Sequence, residues 1–346
     1  MPLDLFIWVH SSAGEHYLHT VGVTGSIPVA PTTFYTLCLR QSKKFYMRTK
    51  LSNNVIAVIL ALGTSFLWVL YSVLLKFVAE SGFPDGQTLI IVSVSVMATM
   101  FAISVISKKT HQLKIHDIKI HLVIGVFLSL SNVCWLLALP QLPLANMYAV
   151  QFLSPLLIAL LAPIFLKDYL GIKNAVAIII GFIGVFIAIN PDDMLLLREK
   201  LFPYLLVFVQ MAAYSLQAFI LRMTSNKEAP LATAIYPRIV LIITGLIMCL
   251  FGEGFLSVTN QQELKTLLVL IFCGVIVGLG WVFLAKAYKM ASAILVSPCQ
   301  YFKIIFGAIL GYLFFSDLPS WSLCIGSVII ITSGIYLLYN ENKRKC

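Results

Sequence analysis

Residues 151–168 have the sequence QFLSPLLIALLAPIFLKD, and residues 300–317 have the sequence QYFKIIFGAILGYLFFSD. The two stretches align at a constant offset of 149 residues, so that Asp168 pairs with Asp317. A glycine-bearing apolar stretch follows each of them, AVAIIIGFIGVFIAI in one case and LCIGSVIIITSGIYLL in the other. This self-similarity indicates that the chain is built from two related halves.

The composition places the chain in lipid. It has 346 residues, of which 60% are hydrophobic and only 11% are charged, and its mean hydropathy is +0.95. Soluble globular proteins are about 45–50% apolar and about 25% charged, and a fold of this length cannot hide such an excess in one core. A soluble enzyme, a nucleic-acid-binding protein and a disordered chain are therefore excluded. The seven cysteines are scattered without a Cys-x-x-Cys pair, which argues against a zinc site and a disulfide framework.

Ten apolar segments from residue 54 onward are long enough, or nearly so, to cross a bilayer as helices. The segments are 54–77, 87–107, 120–139, 144–166, 172–190, 202–223, 231–251, 266–287, 291–314 and 321–339. An odd number of helices in each half places the halves in opposite orientations, which is a construction plan of secondary transporters. The predicted fold is therefore all-α, with ten transmembrane helices arranged as two inverted five-helix repeats.

Four regions are predicted along the chain. They are an N-terminal tail at 1–50, a first five-helix repeat at 51–191, a second repeat at 192–341 and a basic C-terminal tail at 342–346. The N-terminal tail has no apolar region directly behind a basic start, so it does not have the pattern of a secretory signal peptide. Our hypothesis is that residues 1–46 result from a mis-assigned start and that Met47 is the natural one. The alternative is a short disordered cytoplasmic tail.

Lysine and arginine placement predicts the orientation. Eighteen of the 24 basic residues fall on one side of the predicted helices, and four fall on the other side. Those four are Lys76, Arg198, Lys200 and Lys265. The basic side is expected to be cytoplasmic, so both termini are expected in the cytoplasm of a bacterial cell, with the chain in the inner membrane. The net charge of +10 would suggest a nucleic-acid partner in a soluble protein, but here the placement of the charges decides its meaning.

The second half resembles the EamA-type repeat of the drug/metabolite transporter superfamily. Residues 287–289 (AYK), Pro298, Tyr301, an acidic residue followed by a proline, and a closing glycine helix carry the resemblance. The first half matches more loosely, through Ser154-Pro155 and Lys167-Asp168. The resemblance covers roughly residues 51–341 and implies a ten-helix transporter of small metabolites.

Two ionisable side chains inside the predicted helices are the first candidates for a site. Lys303 lies twelve residues into the ninth segment, about 18 Å along it, and Arg238 lies seven residues into the seventh segment. A charge at such depth usually faces a cavity or a partner. No segment carries a central Asp or Glu, so a negative group of a substrate could supply the missing counter-charge.

Polar side chains at helical spacing extend this candidate site. Gln210, Tyr214 and Gln217 are spaced i, i+4, i+7 and share one face of the sixth helix. Similar stripes occur on the fourth and ninth helices, and two further candidates align across the repeat. The predicted substrate-binding residues are Lys303, Arg238, Gln151, Gln210, Tyr214, Gln217, Trp281, Gln300, Tyr301 and Asn132. The alternative for any single residue is a hydrogen bond to a neighbouring helix, worth about 0.6 kcal/mol in a membrane.

No motif for catalysis, for nucleotide binding or for a metal site is present in the sequence. We therefore predict no catalytic residues, no cofactor and no nucleic-acid partner. The expected partners are a small-molecule substrate and the lipid bilayer. The function favoured by the sequence is secondary transport of a small polar metabolite that carries a negative group, such as an amino acid or a nucleotide-like derivative. The alternatives are a membrane-embedded enzyme of lipid or isoprenoid metabolism and a non-transporting membrane scaffold.

The predicted orientation can be tested by labelling single cysteines. In a variant without native cysteines, Arg198→Cys should react with a membrane-impermeant thiol reagent applied from the periplasmic side, whereas Lys114→Cys should not. Lys114 serves as the internal control because it lies in the loop predicted to be cytoplasmic. The reverse labelling pattern would contradict the orientation.

Overall fold

The computed structural model describes residues 32–154, 156–158, 172–189, 194–224, 227–256, 260–291 and 293–345, and its regular elements over these residues are helices. The α-helices are α1 (Thr32–Glu80), α2 (Asp85–Ile106), α3 (Ile118–Ala138), α4 (Leu144–Gln151), α5 (Ile172–Ile189), α6 (Met194–Thr224), α7 (Pro230–Ile235), α8 (Pro237–Met248), α9 (Gln261–Met290), α10 (Ala293–Val296), α11 (Phe302–Phe315) and α12 (Trp321–Lys345). Short 3₁₀ helices lie at Thr110–Leu113 and Ser297–Tyr301, and a π-helical turn lies at Cys249–Glu253.

The helices start and stop at residues suited to that role. Pro84 is extended immediately before α2, and Asp85 places a carboxylate in its first turn. The Asp117 side chain accepts a hydrogen bond from the Lys119 N–H at the start of α3. Asn260 and Glu263 form a capping box at the start of α9. These local signals mark where the three helices begin.

Within the part of the chain that the structure describes, seven helical segments are long and apolar enough to cross a membrane. They are Asn53–Glu80, Asp85–Ile106, Ile118–Ala138, Leu201–Leu221, Pro230–Gly252, Gln261–Met290 and Pro298–Phe315. Three shorter apolar helices accompany them, at Leu144–Ile158, Ala175–Ile189 and Trp321–Tyr336. The all-helical, multi-pass class is confirmed, whereas the count of ten spans stays a prediction. Residues 1–31 lie outside the described part, and the domain boundaries, including the proposed start at Met47, stay predictions.

The helices of the two halves pack in a symmetric pattern. α5 packs on α12, α4 on α11 and α2 on α8, and in each pair the partners occupy equivalent places in the two halves. α3 packs on α8 while α2 packs on α9. α3 packs on α6, and the equivalent contact joins α1 to α9, where the Thr64 hydroxyl donates to the Gly280 carbonyl at 3.3 Å. Exchanging the halves maps this set of contacts onto itself, as a two-fold relation between repeats requires.

Small residues permit the closest of these contacts. A Cβ atom at Gly326 of α12 would overlap the carbonyl oxygen of Gly184 in α5, and a Cβ at Gly86 of α2 would lie 2.6 Å from the carbonyl oxygen of Gly245 in α8. In lipid, the hydrophobic effect does not drive helices together, so van der Waals contact between closely approaching backbones stabilises their association. Large apolar side chains of α5 and α12 point outward, with Ile179 60% and Val328 61% exposed. This is the surface expected to face lipid.

The fourth helix of each half is interrupted. α4 ends at Gln151, and Phe152 and Leu153 form a turn before helix resumes. In the second half, the predicted segment 291–314 is not one continuous helix, because a 3₁₀ stretch at Ser297–Tyr301 precedes α11. Pro298 explains this break, since its ring prevents a normal helical hydrogen bond. The Ser65 hydroxyl donates to the Cys299 carbonyl at 3.0 Å and so satisfies one backbone group at the interruption.

An ion pair joins the halves at one end of the bundle. The Lys76 ammonium at the end of α1 lies 3.4 Å from the Asp317 carboxylate in the α11–α12 connection. The same ammonium donates to the Leu142 carbonyl at 3.3 Å and stands 4.5 Å from the centre of the Phe315 ring. Lys76, counted from the sequence only as a flanking charge, is buried in this contact.

A buried carboxylate joins the halves at the other end. The Glu228 side chain, between α6 and α7, is completely buried and accepts hydrogen bonds from the backbone N–H groups of Asp117 (2.6 Å) and His116 (3.1 Å). The His121 Nε2 atom lies 3.2 Å from the same carboxylate. Burial by itself would raise the pKa of Glu228, but these N–H groups and the His121 ring lower it below its ordinary value of 4.5. The contact therefore favours the ionised carboxylate.

This pKa predicts how stability depends on pH. Because the folded pKa of Glu228 lies below the unfolded value, its contribution is present above pH 4.5 and is lost as the pH falls through the folded pKa. Glu228→Gln should lower the free energy of unfolding at pH 7 by about 1.5–3 kcal/mol, the range for hydrogen bonds to a charged group. Melting of the purified protein at pH 7 and pH 4 measures this. Glu80→Gln, at an exposed position, is the control, and a difference between Glu228→Gln and wild type that does not shrink at pH 4 would contradict the assignment.

Candidate functional site

A cavity lies between the two halves of the bundle. About 150 Å³ of it admits the centre of a water molecule, roughly ten times the space that one water requires. Side chains of α1, α2, α3 and α4 line it from the first half, and side chains of α6, α8, α9 and α11 line it from the second half. The cavity is thus surrounded by equivalent helices of the two repeats, while α5 and α12 pack together outside its lining.

Lys303 reaches this cavity from the second residue of α11, directly after the 3₁₀ interruption. It was predicted twelve residues into a continuous helix, which is wrong because Pro298 breaks that helix. Its side chain is buried, and its ammonium stands 4.0 Å from the centre of the Trp68 ring. Such a cation–π contact stabilises a desolvated ammonium by about 2 kcal/mol but leaves its charge uncompensated. Among the described residues, no carboxylate lies within 4.0 Å of it.

Arg238 reaches the cavity from the second residue of α8, directly after Pro237. Its side chain is buried, and its Nε atom has no hydrogen-bond partner in the described part of the chain. The Tyr71 side chain on α1 is close enough to interact with it electrostatically. As with Lys303, none of the described carboxylates pairs with it. Two cations therefore reach one cavity from two helices of the second half.

Amide side chains supply unused hydrogen-bonding groups in the same cavity. Gln151 and Gln217 line it, and neither has a hydrogen bond to any described residue. The Gln210 amide nitrogen lies 3.4 Å from the Ser131 hydroxyl, and its Oε1 atom has no described partner. The Asn132 amide donates to the Leu128 carbonyl at 2.8 Å, which leaves its Oδ1 atom for another group. Donors and acceptors for a polar ligand are thus in place.

Eight of the ten predicted residues line this one cavity, and two do not. The eight are Lys303, Arg238, Gln151, Gln210, Tyr214, Gln217, Trp281 and Asn132. The Tyr301 ring packs 4.8 Å from the Phe152 ring and against Gly334, where a Cβ atom would overlap its hydroxyl. Both polar atoms of the Gln300 amide are buried without a described partner, and Gln300 does not belong to the lining.

The 3₁₀ geometry explains why Gln300 and Tyr301 do not line the cavity together with Lys303. A 3₁₀ helix turns about 120° per residue instead of about 100°, so five residues accumulate a rotation of roughly 100° relative to an α-helix. A stripe drawn at α-helical spacing through the stretch Ser297–Tyr301 therefore assigns these side chains to the wrong face.

Sequence reasoning missed the contribution of α1. Trp68, Tyr71, Ser72 and Leu75 line the cavity, and their spacing of i, i+3, i+4, i+7 is that of one helix face. The Tyr148 hydroxyl lies 2.9 Å from the Ser72 hydroxyl and 3.2 Å from the Trp68 carbonyl, and so ties α4 to this face. The stripe could have been found by its period. It carries no charge, however, and so gave no electrostatic signal.

The profile of the EamA-like transporter family matches the chain twice, at residues 55–190 and 201–340. The double match confirms both the resemblance seen in the sequence and the division into two related halves. A solved crystal structure shares the fold with a TM-score of 0.57, covering 84% of this chain and 99% of its own chain at 16% sequence identity.

Three relatives illustrate the range of similar proteins. The S-adenosylmethionine uptake transporter of Rickettsia felis is 28% identical over 65% of this chain and 73% of its own. The riboflavin transporter of Vibrio cholerae is 31% identical over 69% of this chain and 76% of its own. The pseudopaline exporter CntI of Pseudomonas aeruginosa is 25% identical over 81% of this chain and 95% of its own.

Proposed function

The chain belongs to the EamA-like transporter family, and we propose that it moves a small polar metabolite with a negative group across the bacterial inner membrane by alternating access. Family membership makes the protein a membrane-embedded transporter of small molecules and not an enzyme. The relatives differ in their named substrates, and one is an uptake transporter while another is an exporter. The substrate class is therefore argued from the site.

The observation that carries the proposal is the pair of buried cations. Lys303 and Arg238 reach the cavity between the halves, and no carboxylate in the described residues compensates either of them. Holding an uncompensated charge at membrane depth costs free energy, and such residues mark substrate pathways. A carboxylate or phosphate entering the cavity would gain charge-assisted hydrogen bonds from both side chains. The neutral amides of Gln151 and Gln217 suit the remaining polar groups of a metabolite.

We propose ten spans in two inverted halves, with the basic loops and both termini in the cytoplasm. The three shorter apolar helices support this count, because each occupies a place in the repeat that a helix of the other half also occupies. The interruptions after Gln151 and before Phe302 lie at equivalent positions of the two halves. Discontinuous helices at a repeat interface are a common way of building a substrate site in secondary transporters.

Contacts at the two ends of the bundle suggest how access alternates. Lys76–Asp317 joins the halves near the α1–α2 connection, and Glu228 joins them near the α2–α3 connection. These contacts lie at opposite ends of α2, which at 22 residues is about 33 Å long. In alternating access, one contact would separate while the other holds, and the cavity between them would open to each side in turn.

Lys303→Gln tests the proposal. The change keeps hydrogen-bonding capacity while it removes a buried charge, so the protein should insert and fold. Affinity for an anionic substrate should fall by about tenfold or more, which corresponds to 1.4 kcal/mol. Lys303→Arg should retain part of the activity, because the charge remains although its shape differs. Saturable, competable uptake into vesicles is the measurement.

Lys286→Gln is the matched control, since this lysine is exposed near the end of α9 and does not line the cavity. Its transport should equal that of the wild type. Native rate and affinity in Lys303→Gln would remove the main support for an anionic substrate.

A further inference from the structure

The cavity carries more aromatic surface than the binding of a charge requires. Trp68 and Tyr71 on α1, Tyr214 on α6 and Trp281 on α9 line it and remain partly exposed. Two other lining rings, those of Trp135 and Tyr148, are instead buried against each other at 5.3 Å. The four partly exposed rings therefore present surface to the cavity that is not buried by packing between helices.

These rings are held in defined positions. The Trp68 and Trp281 rings meet edge to face at 5.7 Å. Gly280 makes room for Trp68, because a Cβ atom there would lie 2.7 Å from the indole nitrogen. The Lys303 ammonium stands over the Trp68 ring, so the positive charge lies directly beside the aromatic surface. A fixed aromatic surface beside a cation fits a ligand in which a planar ring and an anionic group are joined.

The free amides in the cavity favour a ring with polar edges. Gln151 and Gln217 line the cavity without a hydrogen bond to the described residues, and Gln210 has an unpaired oxygen. A purely hydrocarbon ring would displace water from these groups and leave them without hydrogen-bond partners, which is unfavourable. Ring nitrogens and exocyclic amino or carbonyl groups would pair with them.

We infer that the substrate is a planar heteroaromatic anion whose ring stacks on the cavity aromatics, Trp281 among them, while its carboxylate or phosphate meets Lys303. This inference rests on the proposed function and adds the ring to it. The aromatic and cationic groups then contribute separately. Removing Trp281 should weaken discrimination for the ring, and removing Lys303 should weaken discrimination for the charge, while Arg238 and the other cavity aromatics remain.

Two sets of matched probes separate the contributions in the full-length purified protein, with ligand-induced thermal stabilisation titrated to obtain affinity. The carboxylate set is nicotinate, nicotinamide and cyclohexanecarboxylate, in which the second probe lacks the charge and the third lacks the aromatic ring. The phosphate set is adenosine 5′-monophosphate, adenosine and ribose 5-phosphate, in which again the second probe lacks the charge and the third lacks the aromatic ring. The set that binds more tightly identifies the anionic group.

In the wild type, the complete probe of at least one set should bind at least about fivefold more tightly than either partial probe, the lower range for one aromatic stack. Trp281→Leu should reduce the advantage of the complete probe over the ring-less anion by about fivefold, the contribution of one stacking ring, and keep the preference for charge. Lys303→Gln should reduce the advantage of the complete probe over the neutral probe and keep the preference for the ring. Trp281→Phe should restore part of the ring preference, and Trp321→Leu is the control, because Trp321 is 86% exposed and lies outside the lining.

The outcomes distinguish the two proposals. If ring-less anions bind as tightly as ring-bearing ones in both sets, the inferred substrate class is wrong while an anionic substrate stands. If the charged probes have no advantage over the neutral ones and Lys303→Gln changes nothing, the proposed function is wrong as well. A loss of ring preference in Trp321→Leu equal to that in Trp281→Leu would also overturn the assignment.

Discussion

Lipid as a solvent is the constraint on which the structure depends. A bilayer offers no hydrogen bonds, so each backbone group must find its partner within the protein, and a charge has to be placed where protein or water can compensate it. The helices therefore present apolar side chains such as Ile179 and Val328 outward and meet through glycines such as Gly184 and Gly326. Many of the polar groups within the bundle collect in the cavity between the halves. The site lies in this cavity because polar and charged side chains are unfavourable on the surface that faces lipid.

Duplication explains where the cavity lies. Equivalent helices meet across the repeat interface, and the fifth helices, α5 and α12, pack on each other outside the cavity lining. The fourth helices are interrupted near Gln151 and before Phe302, which removes regular backbone pairing at the point where the halves face each other. The two halves differ in charge, however. Arg238 and Lys303 both belong to the second half, so a symmetric scaffold holds an asymmetric site.

Much of this architecture could be predicted from the sequence, because hydropathy and repetition are strong signals in membrane proteins. The all-helical class and the two related halves follow from them, and eight of the ten predicted site residues line the cavity. Gln300 and Tyr301 did not, because helical spacing assumes a continuous helix and Pro298 interrupts it. The burial of Lys76 also escaped prediction, since its partner Asp317 is distant in the sequence and becomes its neighbour only when the halves pack. The aromatic stripe of Trp68 and Tyr71 was missed because it resembles an ordinary packing face.

If the cavity between the halves is the transport pathway, a cavity residue should be accessible from both sides of the membrane, and thiol labelling measures this. Leu128 lines the cavity, so Leu128→Cys in a variant without native cysteines should react with a charged thiol reagent. Ile179→Cys, on the outward face of α5, should not react. Leu128→Cys should be labelled in right-side-out and in inside-out vesicles, and a transported substrate should slow both reactions. Absence of labelling from either side, or labelling that the substrate leaves unchanged, would contradict this role of the cavity.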